Sequence, residues 1–152
     1  MPDANGSTWP DPTDRPFDPA IDYPLAERRP DLVSTPMGKP LAALTLEAVL
    51  AGEVDAADIR VSRETLELQA RVAAAAGRAP LARALRRAAE LTALPDEEIM
   101  ATYEALRPRR ATKEALLALA DRLEAEHDAP INAAFVREAT AAYERRGLLA
   151  GS

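Results

Sequence analysis

Nine of the 13 prolines in this 152-residue chain fall within residues 1–40. Proline locks φ, removes a backbone donor and biases the residue before it away from helix. Residues 1–40 therefore read as a stretch that builds neither a helix nor a central strand. Residues 1–16, which include PDPTDRP, read as a disordered tail. Residues 17–40, FDPAIDYPLAERRPDLVSTPMGKP, differ because Phe17, Ile21, Tyr23, Leu25, Leu32 and Val33 punctuate the prolines. A pure linker has no need of those side chains, so this stretch reads as an extended docking arm laid over an apolar surface.

From Leu41 onward the pattern turns helical. Thr45 is placed to cap a short helix whose Leu46, Val49 and Leu50 face inward, with Gly52 ending it. Asp55–Arg60 reads as a brief turn of helix. Ser62 starts a longer helix, with Leu66, Gln69, Ala70 and Ala73 on one face and Gly77 at its end. Pro80 opens the next, striped by Leu81, Leu85, Ala88 and Leu91 or Thr92. Pro95 restarts the chain, and Ile99, Thr102, Tyr103 and Leu106 form an i, i+3, i+4, i+7 stripe that Pro108 closes. Thr112 begins a helix carrying Leu116, Leu119, Ala120 and Leu123. Pro130 begins the last, with Ile131, Ala134, Phe135, Ala139 and Ala142 inward and Arg145, Arg146 and Gly147 at its end. The expected fold is all-α: a compact bundle of about five to six short helices over residues 41–149, behind the proline-rich arm.

The charge balance narrows the partners. With 25 acidic against 19 basic side chains the net charge is -6, so the chain repels phosphate backbones and a nucleic-acid role is disfavoured. No apolar run approaches membrane-spanning length, and the first residues lack a signal-peptide pattern, so the reading is a soluble cytoplasmic protein. Six aromatics leave the core to Leu and Ala. Such a thin core suggests apolar surface that a partner completes.

Chemistry-bearing clusters are sparse. The chain has no cysteine, and its glycines, at 6, 38, 52, 77, 147 and 151, are too dispersed for a phosphate-cradling loop. His127 is the single histidine, which argues against a zinc site or a Ser–His–acid triad. Beside a helix C-terminus, it reads as a surface residue favoured by the dipole. Asp96, Glu97 and Glu98 occupy a first helical turn, where negative charge offsets the dipole. On a helix they point about 100° apart and do not converge on one ion. Arg83, Arg86 and Arg87 read as a solvated face. RPRR, residues 107–110, sets three guanidiniums at a corner, suited to carboxylates in the fold or across an interface. No residue is assigned to catalysis, cofactor or metal. Tyr23, Leu25 and Arg107 are the candidate contacts to a partner.

DYPLA (22–26), TLEAVLAGEV (45–54), ETLELQA (64–70), AGR (76–78), RAAELTALPDE (87–97), YEALRP (103–108) and AAFVREA (133–139) occur in this order and spacing. Together they closely resemble the small (gamma) subunit of the adenosylcobalamin-dependent diol and glycerol dehydratases, from about Asp18 to Leu149. The resemblance implies a non-catalytic structural subunit of a heteromeric lyase that converts a vicinal diol, such as 1,2-propanediol or glycerol, to an aldehyde and water by a radical route. It further implies a large subunit holding substrate and a metal ion, adenosylcobalamin between the large and medium subunits, and a dimer of three-chain units. The small subunit would pack on the large one. Encapsulation in a bacterial microcompartment stays open.

The D-x-H-x-x-G signature of one class of cobalamin-binding domain is absent, because Ala125 and Pro130 flank His127 where its Asp and Gly would stand. The chain departs from the family at Ser62-Arg63, commonly Thr-Pro, at Ala111, often Ser, and at His127, where an aromatic is expected. The competing reading is a free-standing helical adaptor, or a subunit of an unrelated complex.

Overall fold

A computed structural model describes residues 15–151, and the expected tail at 1–16 lies almost wholly outside them. The described residues hold seven α-helices and no β-strand beyond an isolated Ser34–Pro40 bridge. They are α1 (Leu25–Arg28), α2 (Leu46–Leu50), α3 (Arg63–Ala75), α4 (Ala79–Leu91), α5 (Asp96–Ala105), α6 (Lys113–His127) and α7 (Pro130–Arg146). The all-α fold is as expected. The chain divides into two compact units, Met1–Ala82 and Arg83–Ser152, with the division inside α4.

In the first unit the prolines still leave room for single turns. Between Pro24 and Pro30 the chain makes the one-turn helix α1, followed by a 3-10 turn at Pro30–Leu32 and another at Leu41–Ala43. The expectation of no helix before residue 40 is corrected here. Pro24 serves as N-cap, where its missing N–H costs nothing, and four residues fit before Pro30 intervenes.

Two buried carboxylates organise this unit. Asp22 accepts from the Asp18 amide at 2.8 Å and from the guanidiniums of Arg15 and of buried Arg29, which also pairs with Asp31 at 2.9 Å. Asp58 accepts from Lys39 Nζ at 2.5 Å and from the Asp55 amide at 3.2 Å. Arg71 of α3 donates to the Phe17 carbonyl and stands 4.5 Å over the Phe17 ring, so Phe17 is tied to a helix 54 residues away.

Caps appear where short polar side chains precede the helices. Thr45 accepts from the Ala48 amide, Ser62 from Thr65 and Thr112 from Ala115, which satisfies amides the first turn would leave bare. Buried Thr65, Leu66, Ala70 and Ala73 line α3, while Gln69 is exposed. The stripe of α2 points the other way from expectation: Leu46 is 69% and Leu50 79% exposed, and Val49 is exposed too. The apolar spacing is present, but no described residue covers it.

The second unit is held by hydrophobic packing. Leu94, Leu116, Leu119, Ala120, Leu123, Ala129, Ala133 and Val136 form one buried cluster, with Ile99, Leu106, Tyr143 and Leu149 against it. Lys113 near the start of α6 meets Glu144 near the end of α7, and Asp121 meets Arg137 midway, so the two helices run antiparallel. Ala120 and Ala133 are fully buried at this contact; their small side chains let the helices approach closely. Asp128 closes α6 in the left-handed region at φ 48°, and Gly147 closes α7 at φ 62°.

The buried face of α7 is Asn132, Ala133, Val136 and Thr140, one position round from the expected stripe. Ile131, Ala134 and Phe135 are exposed instead. The cause is Glu90. Its buried carboxylate accepts from the Ile131 and Asn132 amides at 2.9 and 2.8 Å and from Asn132 Nδ2 at 2.7 Å. That clamp on otherwise unpaired helix-start amides sets the rotation of α7 about its axis.

Candidate interaction site

In the second unit, the stripe expected on α5 closes only in part: Ile99 and Leu106 lie against the buried cluster, and the stripe also lines a groove. Leu91, Ile99, Thr102, Tyr103, Leu106, Phe135 and Val136 are among the residues lining a cavity of about 320 Å³. Tyr103, expected inward, is exposed, while Ile99, Thr102 and Leu106 are half-buried. Thr102 Oγ1 is buried with no hydrogen-bond partner among the described residues. Arg87 stands 4.5 Å over the Phe135 ring, so the guanidinium expected on a solvated face is half-buried against an aromatic.

The RPRR corner is built within the chain. Arg107 and Arg110 both reach Glu104, at 2.9 and 3.4 Å, and these guanidiniums hold the Glu104 carboxyl below its usual range, Arg107 first. Arg109 adopts φ 64° and donates its amide to the Leu148 carbonyl at 2.8 Å. Of the three candidate contact residues, Tyr23 is 63% and Arg107 61% exposed, while Leu25, at 7%, is buried.

Asp96, Glu97 and Glu98 occupy the first turn of α5, as expected, behind Pro95. His127 is more enclosed than a surface cap. Its Nε2 lies 2.6 Å from Glu98 Oε2, an ion contact when protonated whose alignment falls short of a hydrogen bond. The two residues join the start of α5 to the end of α6. No group of three or more His, Cys, Asp or Glu side chains among the described residues is placed to hold a metal ion.

The buried carboxylates are each occupied by neighbours. Hydrogen bonding from Arg15, with the Asp18 amide and the charge of Arg29, holds Asp22 below the usual carboxylate range, and Lys39 does the same for Asp58. Sequence reasoning missed Asp22, Asp58 and Glu90. Their signal was faint: Glu90 is one acid beside the apolar stripe of α4, and its partners lie 41 and 42 residues away.

The described residues thus present helices whose apolar stripes open outward, beside carboxylates held in internal clamps. The chain belongs to the dehydratase small subunit family, which it matches over residues 19–150. It is 53% identical over 130 residues to the propanediol dehydratase small subunit of Citrobacter freundii, covering 86% of this chain and 76% of that protein. It is 54% identical over 130 residues to the propanediol dehydratase small subunit of Salmonella typhimurium (strain LT2), covering 86% and 75%.

Proposed function

We propose that this chain is the structural small subunit of a diol dehydratase acting on propanediol, glycerol or a similar vicinal diol. The observation that carries this reading is the identity above one half, sustained over 130 residues, to two propanediol dehydratase small subunits. In this reading the chain packs on a large subunit that holds the diol and an active-site metal ion. A medium subunit completes a three-chain unit, two of which pair. Adenosylcobalamin and the radical chemistry belong to the large and medium subunits, and this chain contributes no reacting group. The holoenzyme works in the cytoplasm, free or inside a bacterial microcompartment.

The side-chain contacts within the chain support this division of labour. The buried carboxylates Asp22, Asp58 and Glu90 are engaged by amides and cations of the same chain. Tyr23 and Arg107 present side chains outward for contact, and Leu25 acts by filling the turn beneath its own surface.

Co-expression of the large and medium subunits with and without this chain tests the reading, with diol-to-aldehyde turnover as the readout. Active complex is expected only in its presence. Equal yield of active complex without it would sink the structural-subunit role.

A further inference from the structure

Alpha-helix α2 is a five-residue element, too short to persist alone. It is fastened along its backbone. Thr45 caps it, the Glu53 and Val54 amides return to the Ala48 carbonyl, and Lys39 Nζ reaches the Glu53 carbonyl at 2.5 Å. All three of its large apolar side chains, Leu46, Val49 and Leu50, nevertheless stand in solvent at i, i+3 and i+4. A helix held this firmly with its apolar ridge outward is built for contact.

A second apolar feature lies next to the ridge in sequence. A cleft of about 110 Å³ is lined in part by Val33, Leu41, Leu44, Ile59 and Val61. Leu44 directly precedes the Thr45 cap, so cleft and ridge adjoin along the chain. Ile59 and Val61 are themselves exposed.

Charge selects the occupant. Along residues 44–61 the exposed charged side chains are Glu47, Glu53, Asp55 and Arg60, three acids against one base, while Asp58 is buried against Lys39. A second copy would set acids against acids, and an anionic lipid surface would be repelled in the same way. The complementary surface has an apolar centre that enters the cleft and a rim of Lys or Arg.

We propose that the α2 ridge and its neighbouring cleft are the surface by which this chain docks on the dehydratase large subunit, through an apolar patch rimmed by basic side chains. This rests on the small-subunit reading above and adds to it the face used and the chemistry that face requires.

The test is made in the co-expressed holoenzyme with two double variants, L46E/L50E and E47K/E53K. L46E/L50E is expected to weaken retention by the large subunit at least tenfold. The isolated full chain should keep its circular dichroism, because both leucines are already exposed. E47K/E53K, which leaves the apolar ridge intact, is expected to weaken association several-fold and flatten its salt dependence. Undiminished co-purification of L46E/L50E overturns the face, and unchanged or tighter binding of E47K/E53K overturns the basic rim. A wild-type chain that never co-purifies with the large subunit fails the small-subunit reading itself. A wild-type self-dimer that L46E/L50E dissolves would assign the face to a second copy and overturn the choice of partner.

Discussion

The two units of this chain solve the problem of burial in opposite ways. Among the described residues, the first buries six apolar side chains and six polar ones, the second nine and three. Of the 14 exposed large hydrophobics among the described residues, nine lie in the first unit. The second unit is ordinary in this sense: a contiguous Leu and Ala cluster excludes water, and each buried leucine contributes about 1.5–3 kcal/mol. The first is partly inside out. It places Asp22, Arg29, Asp58 and Thr35 within and Ile21, Tyr23, Leu46 and Leu50 without. Buried ionic clusters set geometry well but contribute little net stability over apolar packing. The difference teaches that the first unit is specified by polar contacts within its own chain while much of its apolar surface stays exposed.

That contrast can be broken most strongly in the second unit. Leu116→Ala, at a site 1% exposed within the cluster, is expected to cost about 2–5 kcal/mol in chemical denaturation, a cavity effect. A loss below about 1 kcal/mol would mean the cluster is not what holds this unit. Glu90→Ala should cost about 1–3 kcal/mol by stranding buried amide donors at the start of α7. Amide exchange at Ile131 and Asn132 should rise in that variant, and unchanged exchange there would remove the clamp from the account.

Acid should separate the units from the other side. Asp22 and Asp58 ionise below their ordinary value of 3.8 in the fold. A carboxyl depressed by folding adds stability that is fully present above its unfolded pKa. That stability is lost as pH falls through the lower folded one. Exchange protection around residues 18–35 and 54–62 is therefore expected to fall as pH drops below about 4, while the α6–α7 pair keeps its protection longer. Glu104 and Glu114 of the second unit are also depressed, but both are exposed and contribute little. Simultaneous loss in both units would erase the distinction. The smallest effect is at a cap: Thr112→Ala should cost about 1 kcal/mol, read as a small drop in Tm.

Features written locally were legible in the sequence, and those set at a distance were not. Thr45, Ser62, Thr112, Pro130, Gly77 and Gly147 mark helix ends because a cap is a matter of a few adjacent residues. Leu116, Leu119, Ala120 and Leu123 were placed correctly because an antiparallel neighbour covers that stripe. The stripe of α7 was misread by one position because Glu90 sets its rotation from 41 residues away. Leu46, Val49 and Leu50 were turned inward because periodicity reports that a face is apolar, never which chain covers it. For the same reason the RPRR corner showed its charge in sequence but not its partner Glu104.

The corner at residues 106–111 also carries a lesson about timing. The Leu106 carbonyl accepts from the Tyr143 hydroxyl at 2.5 Å, the Arg109 amide is taken by Leu148, and the Ala111 carbonyl by the Ala150 amide at 2.9 Å. All three fasteners are synthesised some forty residues after the segment they hold. A nascent chain released as far as α6 thus carries this corner in an unfinished form, and a partner that recognises its finished shape can engage it only once Ala150 has been added.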